Sequence, residues 1–569
     1  MKGDRDFPDP PFVSYNRLSI IKDLLLSLLK GVDKVNRRKR WVVWMLFSCL
    51  LVSVSFPSWA CTAVLVGKNA SVDGSVINSH TADNWYDANL RVVKGQKYAP
   101  GTIMNVYINL LGEDANPPRV IGHIPQAEET YTYFHVGYSC FNEHQLSIGE
   151  STVGQKDELS AFLPDAKGIL TIEQLEIIAL QRTKTAREAI KLMGGLAETY
   201  GFLPSCVGQG EALTVADPNE AWIFEIRSVG FGWRPESGVP GAIWVARRVP
   251  DDEVAVIANG SIISNIDLNQ PDYFMASQNY LDVAIQHGWY TPKSGHPFNW
   301  RDAYTPRSGY WSMYSPWVRE RLYYLFKTLA PSKEWDPNAD VSSYPFSIKP
   351  DKKISVQDVM AIQRSTLEGT PFNMEDNPAW LVPDVNGKLM KSELATPFPD
   401  RPMRALLNIP YHRPISAKTS YTFVSQSRNW LPDPVGGIIW FSMGHPHMGV
   451  YVPVYAGATF IPEGWRNFKM GRFDPSSARW VFLLAADLVN RRYQLAVRDM
   501  EQVRTSFENE WFGKQVEIEK KAVELWNSSP ESAAAFLNEV TENGMKEALQ
   551  KWWDLCTFLI SKYMWDRFW

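Results

Sequence analysis

Short apolar runs and longer periodic stretches follow one another along this chain. The strings "TAVLV" and "SVIN" lie on either side of "GKNASVDG", so they predict a β-hairpin with Asp73 and Gly74 in its turn. The segment "ALTVADPNEAWIFEI", residues 212–226, predicts two more strands joined by an Asp-Pro turn. Residues 170–201, by contrast, place apolar side chains at helical spacing and predict a pair of amphipathic helices.

The last part of the chain has a different pattern. Residues 480–569 are predicted to be mostly helical, with an interruption at 527–530, where Ser529-Pro530-Glu531 is typical of a helix start. Its final string, "KWWDLCTFLISKYMWDRFW", has a broad apolar face that could cover the body of the protein, another subunit or a membrane surface, and packing on the body is favoured. A homo-oligomer is left open.

The first sixty residues have the pattern of an export signal. A basic cluster, "KVNRRKR", precedes an uncharged apolar run at 41–56, and Ser58 and Ala60 are the small residues that a cleavage site needs. The run is short for a membrane span of about 20 residues. We therefore expect a signal peptidase to cut after Ala60 and export the protein to a periplasmic or extracellular site. The alternatives are an uncleaved membrane anchor at 41–56 or a lipid-carrying Cys61.

Composition excludes several classes of function. The 569 residues include 58 Lys and Arg against 62 Asp and Glu, and no basic stripe suggests a nucleic-acid partner. HExxH, Walker A and dinucleotide-binding motifs are absent, and "GHPHMG" has no acidic partner nearby, so neither a cofactor nor a metal is expected. The five cysteines contain no CxxC pair and leave open one disulfide, between Cys140 and Cys206.

Cleavage after Ala60 would make Cys61 the first residue of the mature chain. It would then carry a thiol and an α-amine, whose ordinary pKa values of about 8.5 and about 8 allow proton exchange at neutral pH. One residue could thus supply both the nucleophile and its general base. From the residues alone, the alternative is a buried structural cysteine at the start of a strand.

A resemblance favours the catalytic alternative. The segment "CTAVLVGKNASVDGSVINSHTADN", followed in order by "NEHQLSIGEST", "LEGTPF" and "YVPVYAG", resembles the C69 family of dipeptidases, which are N-terminal nucleophile (Ntn) hydrolases. The resemblance extends over about residues 61–491. It implies an α+β fold, the four-layer αββα sandwich of Ntn hydrolases, here with a helical C-terminal extension. We divide the chain into a leader (1–60), a catalytic domain (61–480) and a helical segment (481–569).

The resemblance also implies roles for residues around Cys61, the nucleophile that would form a thioester with a small peptide substrate. Asp83 would hold the α-amine, and His80 stands where an arginine is expected beside the thiol, so its role is open. Asn142 and Asn259 would donate to the oxyanion. Each also has an ordinary structural explanation: a strand-end acid, a packed polar residue or a turn-forming asparagine.

Other candidates concern the substrate. Arg321 or Arg319 would match the later arginine near the nucleophile; Arg321 is assigned to catalysis and Arg319 to substrate binding. Glu150 or Asp217 would bind the free ammonium of a dipeptide. Two other functions remain open: an Ntn acylase that cuts a non-peptide amide, and a catalytically dead, membrane-anchored binding protein.

Overall fold

The structure, a computed structural model, describes residues 61–112, 117–205, 208–416 and 419–563. The predicted leader therefore lies outside the described residues, as does Cys206. The strands are β1 (Thr62–Val66), β2 (Val76–Asp83), β3 (Arg91–Val93), β4 (Ile103–Ile108), β5 (Arg119–Pro125), β6 (Tyr133–His135), β7 (Phe141–Asn142), β8 (Ser147–Val153), β9 (Gly210–Ala216), β10 (Ala221–Arg227), β11 (Ile243–Arg248), β12 (Val254–Ile257), β13 (Phe274–Ala276), β14 (Leu381–Pro383), β15 (Leu389–Lys391), β16 (Thr419–Ser427), β17 (Ile438–Met443) and β18 (Val452–Tyr455).

Helices follow the strands in the middle of the chain and dominate its end. They are α1 (Ile172–Arg182), α2 (Ala186–Tyr200), α3 (Asp282–Gln286), α4 (Trp300–Tyr304), α5 (Pro316–Leu329), α6 (Val356–Gln363), α7 (Arg401–Leu407), α8 (Asp433–Gly436), α9 (Ala478–Arg491), α10 (Tyr493–Ser528) and α11 (Pro530–Tyr563). The predicted helical pair is confirmed as α1 and α2. Its second member begins with a capping box, in which the Thr185 side chain accepts from the Glu188 backbone and Glu188 bonds back to the Thr185 N–H.

The first sheet has the order β12-β1-β2-β16-β17-β18, and every neighbouring pair is antiparallel. The predicted hairpin is confirmed, since β1 pairs with β2 in the register Thr62 opposite Thr81. Gly74 adopts a φ of 92° in the connection, a conformation that suits glycine. Asp73 stabilises the same turn by accepting from the backbone N–H of Ser75. In this sheet, β1 lies between β12 and β2.

The second sheet has the order β13-β11-β10-β9-β8-β7-β6-β3, and its pairs are also antiparallel. It contains the predicted pair of strands in the 212–226 segment, as β9 and β10. Two-stranded ribbons, β4-β5 and β14-β15, complete the strand pairing of the described residues. This arrangement confirms a mixed α+β architecture with antiparallel sheets.

The two larger sheets contact each other through their central strands. Strands β1 and β2 meet β8 and β9, while α6 contacts β2 and β16, and α2 contacts β9 and β10. Most side chains of the central strands are buried on both faces, because each strand lies between the other sheet and a layer of helices. A site that opens from an end of β1 is thus surrounded by rigid elements.

The C-terminal helices pack on this body. Helix α11 contacts α9, α10 and β18, and the predicted interruption is confirmed, because α10 ends at Ser528 and α11 begins at Pro530. Buried Trp552 of α11 donates its indole N–H to the carbonyl of Met448, and buried Trp465 donates to the carbonyl of Met545. The apolar face of α11 therefore belongs to the core. Among the described helices, none is both long and apolar enough to cross a membrane.

Candidate active site

Three strand ends meet around Cys61. This residue precedes β1 and is 3% exposed. Because β1 runs antiparallel to both neighbours, its start lies beside the end of β2, which carries Asp83, and the end of β12, which Asn259 follows closely. The structure therefore brings Cys61, Asp83 and Asn259 together at one end of these neighbouring strands.

Arg321, on helix α5, connects two of these strand ends, the start of β1 and the end of β12. Its Nη1 donates to the carbonyl oxygen of Cys61 at 3.0 Å and to Thr62 Oγ1 at 2.9 Å. Its Nη2 donates to the carbonyl of Ala258 at 2.9 Å and to Asn259 Oδ1 at 3.0 Å. Burial, together with nearby Arg413, lowers the pKa of the Arg321 guanidinium to about 9, which leaves it charged at neutral pH. A planar, five-donor group is suited to this task, since it fixes several acceptors in one plane.

Asp83 is buried and paired with a residue that the sequence did not suggest. Arg413 Nη2 lies 3.0 Å from Asp83 Oδ2, and Thr419 Oγ1 donates to Asp83 Oδ1 at 2.7 Å. Burial raises the pKa of Asp83, while Arg413 and the hydrogen bond from Thr419 oppose that rise. Arg413 lies in an irregular segment before β16. It follows Asp83 by 330 residues, and no local sequence pattern connects the two.

Asn259 has a backbone conformation that few residues adopt. Its φ of 59° lies in the left-handed region, which asparagine tolerates better than most residues. One N–H of its side chain donates to the carbonyl of Thr152 at 2.8 Å, and its backbone N–H donates to Ser151 Oγ at 3.1 Å. Ser151 Oγ in turn lies 3.5 Å from the carbonyl oxygen of Cys61. The second side-chain N–H of Asn259 is therefore a candidate oxyanion donor, and Ser151 and Thr152 are supporting residues that the sequence analysis missed.

His80 and Glu150 form a second group beside Cys61. His80 Nε2 lies 3.7 Å from Glu150 Oε2, and both side chains are fully buried. One donor atom from each of Cys61, His80 and Glu150 lies within 4.8 Å of the other two. The Glu150 carboxylate also accepts a hydrogen bond from Thr152 through Oε1. The two strands β2 and β8, which face each other across the sheets, supply these side chains.

Other predicted site residues have different surroundings. Both N–H groups of the Asn142 amide donate to carbonyls, those of Leu180 and Thr183, and its oxygen accepts from two backbone N–H groups. The structure thus uses Asn142 to hold a turn against α1, and no described contact joins it to Cys61. Asp217, in the β9-β10 turn, accepts from two backbone N–H groups of that turn and from the N–H of Ala186 at the start of α2. That turn lies at the opposite end of β8 from Ser151, because Ser147 pairs with Ala216.

Arg319 is separated from Arg321 by about 200° around α5, so the two side chains leave the helix on different faces. Its Nε atom is buried without a hydrogen-bond partner among the described residues. The structure therefore distinguishes the two arginines that the sequence left as alternatives. Arg321 contacts the backbone of Cys61, and among the described residues Arg319 makes no hydrogen bond there.

A cavity of about 500 Å³ is connected to Arg321 through aromatic side chains. Gln155, Lys156, Trp289, Tyr310 and Trp311 are among its lining residues. The Tyr310 ring stacks on Trp317 with centroids 5.2 Å apart, and the Arg321 guanidinium lies 5.2 Å from the Trp317 ring. This chain of contacts connects the cavity wall with the arginine that holds Cys61.

Comparison with known proteins shows which family the chain resembles. The family model described as "Peptidase family C69" matches residues 60–506. A protein named "Probable dipeptidase" from Latilactobacillus sakei is 26% identical over 493 residues, covering 84% of this chain and 90% of the relative. "Probable dipeptidase B" from Streptococcus pyogenes serotype M1 is 25% identical over 495 residues, covering 84% and 89%. "Dipeptidase" from Bifidobacterium longum is 27% identical over 353 residues, covering 55% and 60%.

The protein is a hydrolase of peptide bonds. The chain belongs to peptidase family C69, because the family model extends over well more than half of its length.

Proposed function

We propose that this protein is a cysteine-type dipeptidase in which Cys61 is the N-terminal nucleophile, on the four-layer αββα sandwich of Ntn hydrolases. The observation that carries the proposal is the convergence of Asp83, Asn259 and Arg321 on the start of β1, where Arg321 holds the backbone of Cys61. The two facing antiparallel sheets with helices against them support the sandwich. Relatives named dipeptidases support the substrate class.

The first half of the proposed reaction forms an acyl-enzyme. The α-amine of Cys61 takes the thiol proton, and Sγ attacks the carbonyl carbon of the peptide bond. The tetrahedral oxyanion accepts a hydrogen bond from the second side-chain N–H of Asn259, whose other N–H is held by Thr152. The amine then returns its proton to the leaving nitrogen, the C–N bond breaks, and a thioester remains on Cys61.

The second half releases the product acid. The α-amine takes a proton from water, and the hydroxide adds to the thioester carbonyl. The C–S bond then breaks, and the α-ammonium returns its proton to the departing sulfur, which regenerates the thiol and the free amine. Arg321 acts as a positioning residue through the carbonyl of Cys61, which limits how far the N-terminal residue moves. The pair of Asp83 and Arg413 sets the electrostatics behind the amine. This division needs no oxyanion contact from Asn142.

The substrate would enter through the cavity next to Trp317, whose volume of about 500 Å³ suits a small ligand. Glu150 is our candidate for the substrate ammonium, because its Oε2 is buried beside Cys61 and has no hydrogen-bond partner among the described residues. A buried carboxylate oxygen without a hydrogen bond is costly, and a substrate cation would compensate it. The three backbone hydrogen bonds of Asp217 make it a weaker candidate.

The proposal requires maturation. We propose that a signal peptidase cleaves after Ala60 and that the mature enzyme acts in the periplasm or outside the cell. In the alternative arrangement, residues 41–56 would anchor an uncleaved chain, and Cys61 would have no α-amine.

Two measurements test the proposal together. Intact mass and N-terminal sequencing, after expression in an export-competent host, should show a chain that starts at Cys61 without a lipid. The same material should hydrolyse unmodified dipeptides faster than N-acylated amides, and Cys61→Ala should abolish that hydrolysis.

Cys556→Ser is the matched control, since Cys556 is a buried thiol whose Sγ contacts the carbonyl of Val481 in the C-terminal helices. It should keep the activity. A mature chain that begins upstream of Cys61 while dipeptidase activity persists would refute the N-terminal mechanism. Preference for the N-acylated amide would instead indicate the acylase alternative.

A further inference from the structure

The group formed by Cys61, His80 and Glu150 has the composition of a transition-metal site. It offers a thiol sulfur, an imidazole nitrogen and a carboxylate oxygen, all buried and all within 4.8 Å of one another. The ligands come from three separate segments, the residue before β1, strand β2 and strand β8, so the pairing of the sheets brings them together. Among the described residues, no other set of three such side chains has this ligand spacing.

Buried polar atoms without hydrogen bonds at this place give a second observation. Both ring nitrogens of His80 lack a hydrogen-bond partner among the described residues, and so does the Oε2 atom of Glu150. Buried polar atoms without partners cost free energy, so native proteins rarely retain them without a ligand or another role. The His80 ring is nevertheless held in place, because the rings of Tyr138, Tyr421 and Phe423 meet it edge-on with centroids 5.9 to 6.0 Å away.

Two of the three ligand atoms are spaced nearly as in a tetrahedral site. Zinc binds imidazole nitrogen and carboxylate oxygen at about 2.0 to 2.2 Å, which places two such ligands about 3.3 Å apart in a tetrahedron. His80 Nε2 and Glu150 Oε2 are 3.7 Å apart, so a shift of a few tenths of an ångström brings them into range. Sulfur and imidazole ligands together select zinc-like ions over magnesium or calcium.

We propose that Cys61, His80 and Glu150 form a binding site for Zn²⁺ and similar divalent transition-metal ions, and that this ion reversibly blocks the nucleophile. The inhibition rests on the proposed function, whereas the binding itself does not. Binding exchanges the thiol proton for a metal–sulfur bond, with release of the proton and no change in oxidation state. In a mature chain, the α-amine of Cys61 would be a fourth ligand, because amine and thiolate of one cysteine close a five-membered chelate ring.

Zinc would also compete with substrate. A metal on Sγ and Glu150 occupies both the nucleophile and the carboxylate that we assign to the substrate ammonium. Activity would therefore fall with added Zn²⁺ and return when a chelator removes it. The proposed reaction itself does not use the ion, so zinc acts as an inhibitor and not as a cofactor.

Cobalt provides the test, because Co²⁺ bound to thiolate gives a charge-transfer absorption band. We would titrate the full-length purified protein with CoCl₂ under reducing, chelator-free conditions. We expect one equivalent of Co²⁺ to produce the band and equimolar Zn²⁺ to remove it. Cys61→Ser should abolish the band, and His80→Gln and Glu150→Gln should each weaken Co²⁺ binding at least about tenfold, the lower end of what even outer-shell changes cost.

Two controls make the result specific. Cys556→Ser removes a different buried thiol, and His123→Gln removes an exposed histidine of β5. Both should leave the band and the affinity unchanged. The absence of a band from the unaltered protein in tenfold excess Co²⁺ would overturn the proposal, and this measurement needs no variant to fold. A band that His80→Gln and Glu150→Gln leave unchanged would also overturn it, because a lone thiolate would then be the ligand.

These outcomes are separate from the test of the catalytic proposal. Cobalt binding is measured without turnover, so a protein that binds the ion but hydrolyses no dipeptide would keep the metal site and refute the proposed function. Dipeptide hydrolysis that depends on Cys61, in a protein without the band, would do the reverse.

Discussion

Arg321 donates a 3.0 Å hydrogen bond from Nη1 to the carbonyl oxygen of Cys61, so a helix side chain holds the backbone of the proposed nucleophile. We expect Arg321→Met to lower kcat/KM for a dipeptide by about 10²-fold, since a displacement of about 1 Å in a reacting group costs that much. Arg321→Lys should recover little of the loss, because an ammonium cannot reach four acceptors in one plane. Steady-state kinetics on the folded fraction measures both effects.

The matched control lies on the same helix. Lys327 is exposed near the end of α5 and donates to the carbonyl of Gly369, so Lys327→Met should leave kcat/KM unchanged. Wild-type kinetics in a folded Arg321→Met variant would contradict the positioning role.

Asn259 and Asn142 should respond differently to the same substitution. Asn259→Ala removes the proposed oxyanion donor, and kcat should fall by about 10²- to 10³-fold. Asn142→Ala removes the donor of two buried hydrogen bonds, to Leu180 and Thr183. It should lower the free energy of unfolding by about 1–3 kcal/mol with little change in kcat per folded molecule. Parallel measurement of kcat and urea unfolding checks this, and a larger loss of kcat in the Asn142 variant would reverse our assignment.

The ion pair of Asp83 and Arg413 should be important for stability. Both side chains are buried, so Arg413→Met would leave the interior carboxylate without its arginine partner and destabilise the fold by about 3–5 kcal/mol. The double variant Asp83→Asn, Arg413→Met should recover part of that loss.

As a control for this pair, Lys514→Met breaks an exposed pair with Glu510 and should cost about 0–1 kcal/mol. Denaturant unfolding gives all of these values. If Arg413→Met and Lys514→Met lowered the free energy of unfolding equally, burial would not make the Asp83–Arg413 pair more important for stability than an exposed pair.

Glu176 should give the protein a measurable pH dependence. Burial raises its pKa well above the usual range, and the nearby carboxyls of Glu150 and Glu173 raise it further. Above the unfolded pKa of about 4.3, the native state thus binds more protons than the unfolded state, and stability falls as pH rises toward the native pKa. Glu176→Gln removes this loss, so it should stabilise the protein at pH 8 and have a smaller effect at pH 5.

Glu188 is the control of opposite sign. Its pKa is lowered, first by the backbone N–H of Lys184, although partial burial opposes the shift. Its contribution is present above the unfolded pKa and is lost as pH falls through the native one. Glu188→Gln should therefore destabilise at pH 7 and have little effect at low pH. Unfolding curves at several pH values test both variants, and a Glu176→Gln effect that does not change with pH would contradict the assigned titration.

Features that depend on neighbouring residues were accessible from the sequence by itself. The hairpin around Asp73 and Gly74, the α1-α2 pair and the break before Pro530 all follow from local spacing, turn chemistry and capping. The order of motifs after Cys61 indicated the family, and the match over residues 60–506 agrees with it. Local periodicity suffices here because a strand or helix is determined largely by which of its faces is apolar.

Partners distant in the chain were decided only by the tertiary structure. Asn142 and Asn259 look alike in the sequence, yet the first is saturated by carbonyls of α1 and its C-cap, and the second follows a strand that pairs with β1. Nothing local connects Asp83 with Arg413, or His80 with Glu150, because each pair joins segments that meet only when the sheets form and face each other. The sequence thus determined which residue types lie around Cys61. Their distances and hydrogen-bond partners were determined by long-range packing, which no local pattern encodes.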